Sequence, residues 1–174
     1  MAGLKFRVLL DSNDKNEIFR DILISDNDNF ESFYNAILSA YQFSDDQMAS
    51  FYMSNDMWDK GHEISLFDMS YGEDPEQILP GVMRTSMIRD LIKESDQKII
   101  LVHDFLRMWI FLIELIGYQD EAPDKPQLVL SVGNAPAETS KLEEDESLRF
   151  ETDGDEDEDE DEFGFNEFEG DYDY

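Results

Sequence analysis

The sequence predicts an α+β domain. It has a largely antiparallel sheet of about six to seven strands, two helices packed on one face, and a disordered acidic C-terminal tail. Three observations carry this. Short runs alternate apolar and polar residues, or are rich in Val, Ile and Leu, as strands are. One run, Phe30, Phe33, Tyr34, Ile37, Leu38 and Tyr41, follows helical spacing instead. Ten of the twelve residues 151–162 are acidic, and adjacent like charges with nothing apolar to bury do not fold.

Taken in order, Leu4, Phe6, Val8 and Leu10 alternate with Lys5 and Arg7, a strand with one wet face. Residues 11–16 (DSNDKN) are a turn, and 17–24 return as a second strand, antiparallel to the first. Residues 25–29 (SDNDN) turn again and offer a cap to a helix over 30–42. Residues 48–53 and 63–67 read as strands around the loop 55–61. Pro75 and Pro80 mark 71–81 as loop, and Thr85 caps a short helix over 86–94 with Met87, Ile88, Leu91 and Ile92 on one face. Leu128, Leu130 and Val132 form the last alternating strand, 127–132. A body of 1–138 is thus followed by a tail of 139–174. About 140 residues suffice to bury roughly two-thirds of the unfolded surface without staples.

The most apolar run is 97–117. Its length approaches a membrane span, but His103, Asp104, Arg107 and Glu114 fall inside it. Asp and Arg near a helix centre each cost roughly 2.5–3.5 kcal/mol on insertion. Two strands, 98–103 and 108–116, joined by a turn at 104–107, fit better. The second is apolar on both faces, so it is a central strand covered on both sides, or covered on one side and lying at a partner interface on the other. The turn holds the one candidate cluster, His103, Asp104, Arg107 and Trp109. Asp104 and Arg107 are a bidentate-capable pair. A structural ion pair closing a hairpin competes here with a binding or catalytic role.

Composition excludes much chemistry. There is no cysteine, hence no disulfide, thiolate catalysis or Cys-type zinc, as suits a cytoplasmic protein. The short apolar start does not read as a signal peptide. His62 and His103 are the only histidines, so neither a His-rich metal site nor HExxH can be built. No phosphate-binding glycine loop or G-x-S-x-G occurs, and no register of the acidic run meets the EF-hand rule. No cofactor or metal is expected. Net charge is −30. From Lys141 onward, 18 acidic against 2 basic residues give −16, which leaves −14 for residues 1–140. Both parts lack the clustered Lys and Arg that bind phosphate backbones, so the charge argues against direct DNA binding and favours a basic protein partner. Phe163, Phe165, Phe168, Tyr172 and Tyr174 sit among acids at the end of the tail. A tail kept only for solubility would lack aromatics, so these five form a candidate interaction motif for a basic, apolar groove.

Several words in order complete the reading: Ile18-Phe19-Arg20-Asp21, Ala40-Tyr41-Gln42-Phe43, Asp46-Gln47-Met48-Ala49-Ser50-Phe51, His103-Asp104-Phe105-Leu106-Arg107-Met108-Trp109-Ile110-Phe111, and Gly133-Asn134-Ala135-Pro136-Ala137-Glu138. Over residues 4–138 the chain resembles the plasmid pRiA ORF-three-like family, also labelled insertion-element passenger TnpR-like. That family's words are I-W-R-R, A-F-G-W, D-H-L-H-x-F, Y-D-F-G-D-x-W-x-H-x-I and G-x-x-A-x-P-E. The histidines of D-H-L-H are here Gln47 and Ala49, the Gly-Asp is Leu106-Arg107, and the His after Trp is Phe111. Asp104 and Trp109 match. The resemblance implies an α+β fold and a bacterial, mobile-element setting, without a settled activity. The expected function is protein contact or regulation. The alternatives are an enzyme or degenerate enzyme using Asp104, and a nucleic-acid-linked role with the tail mimicking phosphate.

Overall fold

The structure, a computed structural model, describes residues 2–12, 15–45, 47–68, 81–92 and 94–140. The chain divides into two units, Met1–Pro136 and Ala137–Tyr174. In the second, Ser140 N donates to Ala137 O at 3.0 Å. The acidic run and Phe163, Phe165, Phe168, Tyr172 and Tyr174 lie outside the described residues, as does most of the loop read at 71–81.

The first unit runs β1 (Gly3–Leu10), β2 (Phe19–Ser25), α1 (Phe30–Tyr41), β3 (Ala49–Ser54), β4 (Glu63–Ser65), β5 (Gly81–Val82), a 3-10 turn (Met83–Thr85), α2 (Ile88–Leu91), β6 (Lys98–His103), β7 (Trp109–Gln119) and β8 (Gln127–Val132). One sheet has the order β5-β4-β3-β6-β7-β1-β2-β8. The architecture is α+β, as the alternation implied, but the sheet is mixed and has eight strands rather than six to seven antiparallel ones. The unforeseen strand is β5, which runs parallel to β4. Two residues cannot display a period of two, so only the pairing of Ile64 with Gly81 and Ser65 with Val82 reveals it.

The helix α1 forms where the spacing placed it. Asn29 is its N-cap, accepting from Ser32 N at 2.8 Å, and Gln42 closes it in the left-handed region at φ 60°. Its stripe of Phe30, Phe33, Tyr34, Ile37, Leu38 and Tyr41 is fully buried. It covers Leu4, Phe6, Val8 and Leu10 of β1, Phe51 of β3, and Phe111, Ile113 and Leu115 of β7. Phe33 stacks on Phe51 at 5.6 Å and tilts against Phe6 at 4.8 Å. Each such side chain contributes roughly 1.5–3 kcal/mol by leaving water.

The second helix is shorter than its periodicity suggested, and Thr85 does not cap it. Thr85 Oγ1 turns back to Val82 O, and α2 starts after Met87, which makes no side-chain cap bond. The backbone gives the reason. Ile88 N and Arg89 N donate to Asp28 O and Asp26 O at 2.9 and 3.0 Å, so the loop before α1 satisfies the first helical donors.

The central hairpin is β6 and β7, in the middle of the sheet. On the inner face of β7, Trp109, Phe111, Ile113 and Leu115 are buried; on its outer face Ile110, Leu112 and Glu114 are half-buried and Ile116 is exposed. The strand continues to Gln119 because Gly117, Tyr118 and Gln119 pair with Lys5, Leu4 and Gly3 across a bulge at Lys5/Phe6.

Register organises the outer face in rows. Val132, Phe19, Leu9, Leu112, Ile100 and Tyr52 lie opposite one another across six strands. The next row reads Asp21, Arg7, Glu114, Lys98, alternating in sign. Arg7 grips Asp21 with Nε and Nη2, both at 2.9 Å, and Lys98 reaches Glu114 at 3.4 Å. The hydrogen bond to Asp21 raises the Arg7 pKa, against the opposing effect of burial.

Candidate functional site

The cluster at the end of the hairpin is assembled from local turn chemistry. His103 is the last residue of β6, paired across the ladder with Trp109, the first of β7. Between them Asp104 enters the left-handed region at φ 66° and Met108 leaves it at φ 59°. Asp tolerates that region better than most residues because its short side chain bonds locally. Asp104 Oδ1 accepts from Leu106 N at 3.1 Å and from Arg107 N at 3.3 Å, and Oδ2 accepts from Arg107 Nη1 at 3.1 Å. The Asp104 backbone also closes the loop. Its N–H donates to Met48 O at 2.7 Å, and its carbonyl accepts from Met108 N at 2.6 Å.

Burial separates the four residues. His103 is fully buried, Asp104 is 2% exposed and Trp109 is 4% exposed. The Arg107 side chain keeps 19% of its surface in solvent, and its Nε has no hydrogen-bond partner among the described residues. His103 meets α1 and Phe43. Its Nδ1 is 3.0 Å from Tyr34 Oη on α1, and its ring lies near-parallel to Phe43. Trp109 also packs against Phe43, with ring centroids 4.9 Å apart. The structure therefore joins Asp104 to Arg107 in the turn and places His103 and Trp109 in an aromatic layer beneath α1.

Tyr34 and Phe43 complete this surround but were not singled out from the sequence. Tyr34 lies within the helical stripe, whose spacing implies packing, and nothing local couples it to a residue 69 positions away. A second buried polar group was missed. Arg20, 6% exposed, donates to Ala40 O, Phe19 O and Val132 O and lies over the Tyr41 ring at 4.8 Å. It thereby satisfies a carbonyl of the last turn of α1, where a cation is favoured. Tyr41 Oη donates to Val8 O at 2.7 Å, and burial pushes its pKa well above the ordinary phenol value. The word Ile18-Phe19-Arg20-Asp21 contained Arg20, but not the direction it faces.

Open clefts lie away from the turn. One is bounded by Ser25, Asn27, Asp28 and residues 120–124. Another, of about 450 Å³, runs between α1 and the start of β8. His103, Asp104, Arg107 and Trp109 line neither. Among the described residues, no group of three or more His, Cys, Asp or Glu side chains could hold a metal ion, and no helix is long and apolar enough to cross a membrane.

An eight-stranded mixed sheet with a helix on one face, closed at its centre by an Asp-Arg hairpin, defines an α+β protein. The chain belongs to the family described as plasmid pRiA4b ORF-3-like protein, whose model matches residues 2–174. That match continues past Glu138, where the likeness word by word ends. Among solved structures, the chain is similar to a protein of unknown function from Methanosarcina mazei Go1. They share 17% identity over 85% of this chain and 80% of that one, with a TM-score of 0.65. At this identity the likeness shows the fold alone. No curated protein matches the chain at a significant level.

Proposed function

We propose that this chain is a protein-interaction or regulatory domain of its family that works by contact rather than by turnover. The observation that carries the reading is the state of the candidate cluster. A general acid or base at Asp104 would need a free oxygen facing substrate. Instead both oxygens are held within the turn, by the backbone of Leu106 and Arg107 and by the Arg107 side chain. His103 is likewise committed to Tyr34 inside the core.

The partner class follows from charge. A chain of net charge −30 attracts basic proteins and repels phosphate backbones. In this reading the sheet is the rigid scaffold. The tail aromatics Phe163, Phe165, Phe168, Tyr172 and Tyr174, set among acids, engage a basic and apolar groove on the partner.

The test uses the full-length chain and a full-length variant with Phe163, Phe165 and Phe168 each changed to Ala. Proteins retained by each are compared at low and physiological salt. Basic proteins retained by the parent and lost from the variant are the expected result. Identical retained sets would remove the tail from the mechanism.

A further inference from the structure

We propose that the free edge of β8 is a homodimer interface, at which a second copy pairs antiparallel about a two-fold axis and continues the sheet. This goes beyond the contact reading, because a second copy is held by the sheet edge and not by opposite charge.

The sheet ends on β5 and β8, and its two edges differ. β5 is two residues long, and shortness is one of the devices that protect an edge. β8 is six residues long and, among the described residues, pairs through one side only, with β2. All six residues are exposed, including Leu128 at 50%, Val129 at 46%, Leu130 at 44% and Val132 at 37%. From Gln127 to Val132 there is no charge and no proline to blunt the edge.

Local neutrality and register, set against the charge of the whole chain, select the occupant. Two copies of a chain at −30 repel wherever their acids face each other, so a self-contact needs a neutral, self-matching surface. About a two-fold between Val129 and Leu130, Leu128 meets Ser131 of the second copy and Gln127 meets its Val132. Beyond the strand, Lys125 meets Asn134 and Asp124 meets Ala135, so no like charges are opposed between residues 124 and 135.

Faces match as well. The register shift at Asp21/Ile22 sets Leu128 and Ser131 opposite Ile22 and Arg20, on the inner face. It sets Gln127 and Val132 opposite Leu23 and Phe19, on the outer face. Without that shift, the same register would oppose inner residues to outer ones. The cleft between α1 and β8, lined by Ser32, Ala36, Ala40 and Leu128 among others, opens beside this edge and leaves room for inner-face side chains of the added strand.

Light scattering on the full-length chain at rising concentration is the test, with Leu130→Lys and Val129→Lys as edge variants. The expected result is a wild-type mass approaching twice 20.3 kDa, and the single-chain mass for either folded variant. Hydrogen exchange supplies an arm that needs no variant: the β8 amides of the wild type should exchange more slowly as concentration rises. A wild-type mass of one chain throughout, or a dimer that survives both lysine variants, overturns the proposal. So does slow β8 exchange in a monomer, because another segment then occupies the edge. Each of these failures leaves the contact reading standing if basic partners are still retained.

Discussion

At the scale of residues, Asp104 combines a backbone requirement with a side-chain one. Its φ of 66° suits Gly, Asn or Asp, and its carboxylate ties together the backbone of Leu106 and Arg107 and the Arg107 side chain. Asp104→Ala keeps the strained φ, removes every side-chain acceptor and leaves a largely buried guanidinium unpaired, so it should lower stability by about 2–4 kcal/mol. Asp104→Asn tolerates the left-handed region and keeps one acceptor oxygen, so its cost should be about 1 kcal/mol. Urea unfolding of the two variants measures the difference. Equal costs would mean that the turn does not depend on these bonds. The sequence showed the Asp-Arg pair because its members are three residues apart. It could not show Tyr34 against His103, because that contact exists only once α1 is laid on β6.

Among elements, the alternating row of Asp21, Arg7, Glu114 and Lys98 tests how strands recognise one another. Its two ion pairs differ in burial. The Asp21 side chain is 4% exposed and is gripped at two points by Arg7, whereas Lys98 contacts Glu114 and Asp56, whose side chains are 43% and 84% exposed. Arg7→Ala strands a buried carboxylate and should cost about 2–3 kcal/mol. Lys98→Ala removes screened, solvated pairs and should cost about 0.5 kcal/mol. Thermal or urea denaturation of both variants checks the order, and a larger loss at Lys98 would contradict it. Alternation along each strand marked β1, β7 and β8 from the sequence, but which strand lies beside which is decided by packing. The second helix shows the reverse failure. Its apolar spacing is real, yet backbone bonds to Asp26 and Asp28 tie down its start at Ile88, and the chain is extended again at Ile92.

For the whole molecule, net charge is the dominant electrostatic fact. At −30 the chain repels itself, and salt screens that repulsion once the Debye length falls to about 10 Å. Raising NaCl from about 10 mM to about 300 mM should therefore raise the melting temperature by a few degrees, because repulsion between acids outweighs the exposed ion pairs that the same salt weakens. Differential scanning calorimetry measures this. A lower melting temperature in salt would mean that the ion pairs dominate.

The sequence by itself determined the α+β class, seven of the strands, α1 with a cap in the turn before it, the charge and the family, because each is written in local periodicity, composition or short words. Only the tertiary structure decided the eighth strand, the parallel pair at β4 and β5, the burial of Arg20 and His103, and the exposure of β8. Those depend on which surfaces meet, and a surface has no partner until the chain has folded around it. The run at 97–117 holds both kinds of information. Its apolar strands were legible from the residues, whereas the commitment of Asp104 to the turn and of His103 to Tyr34 came from the packed sheet and helix.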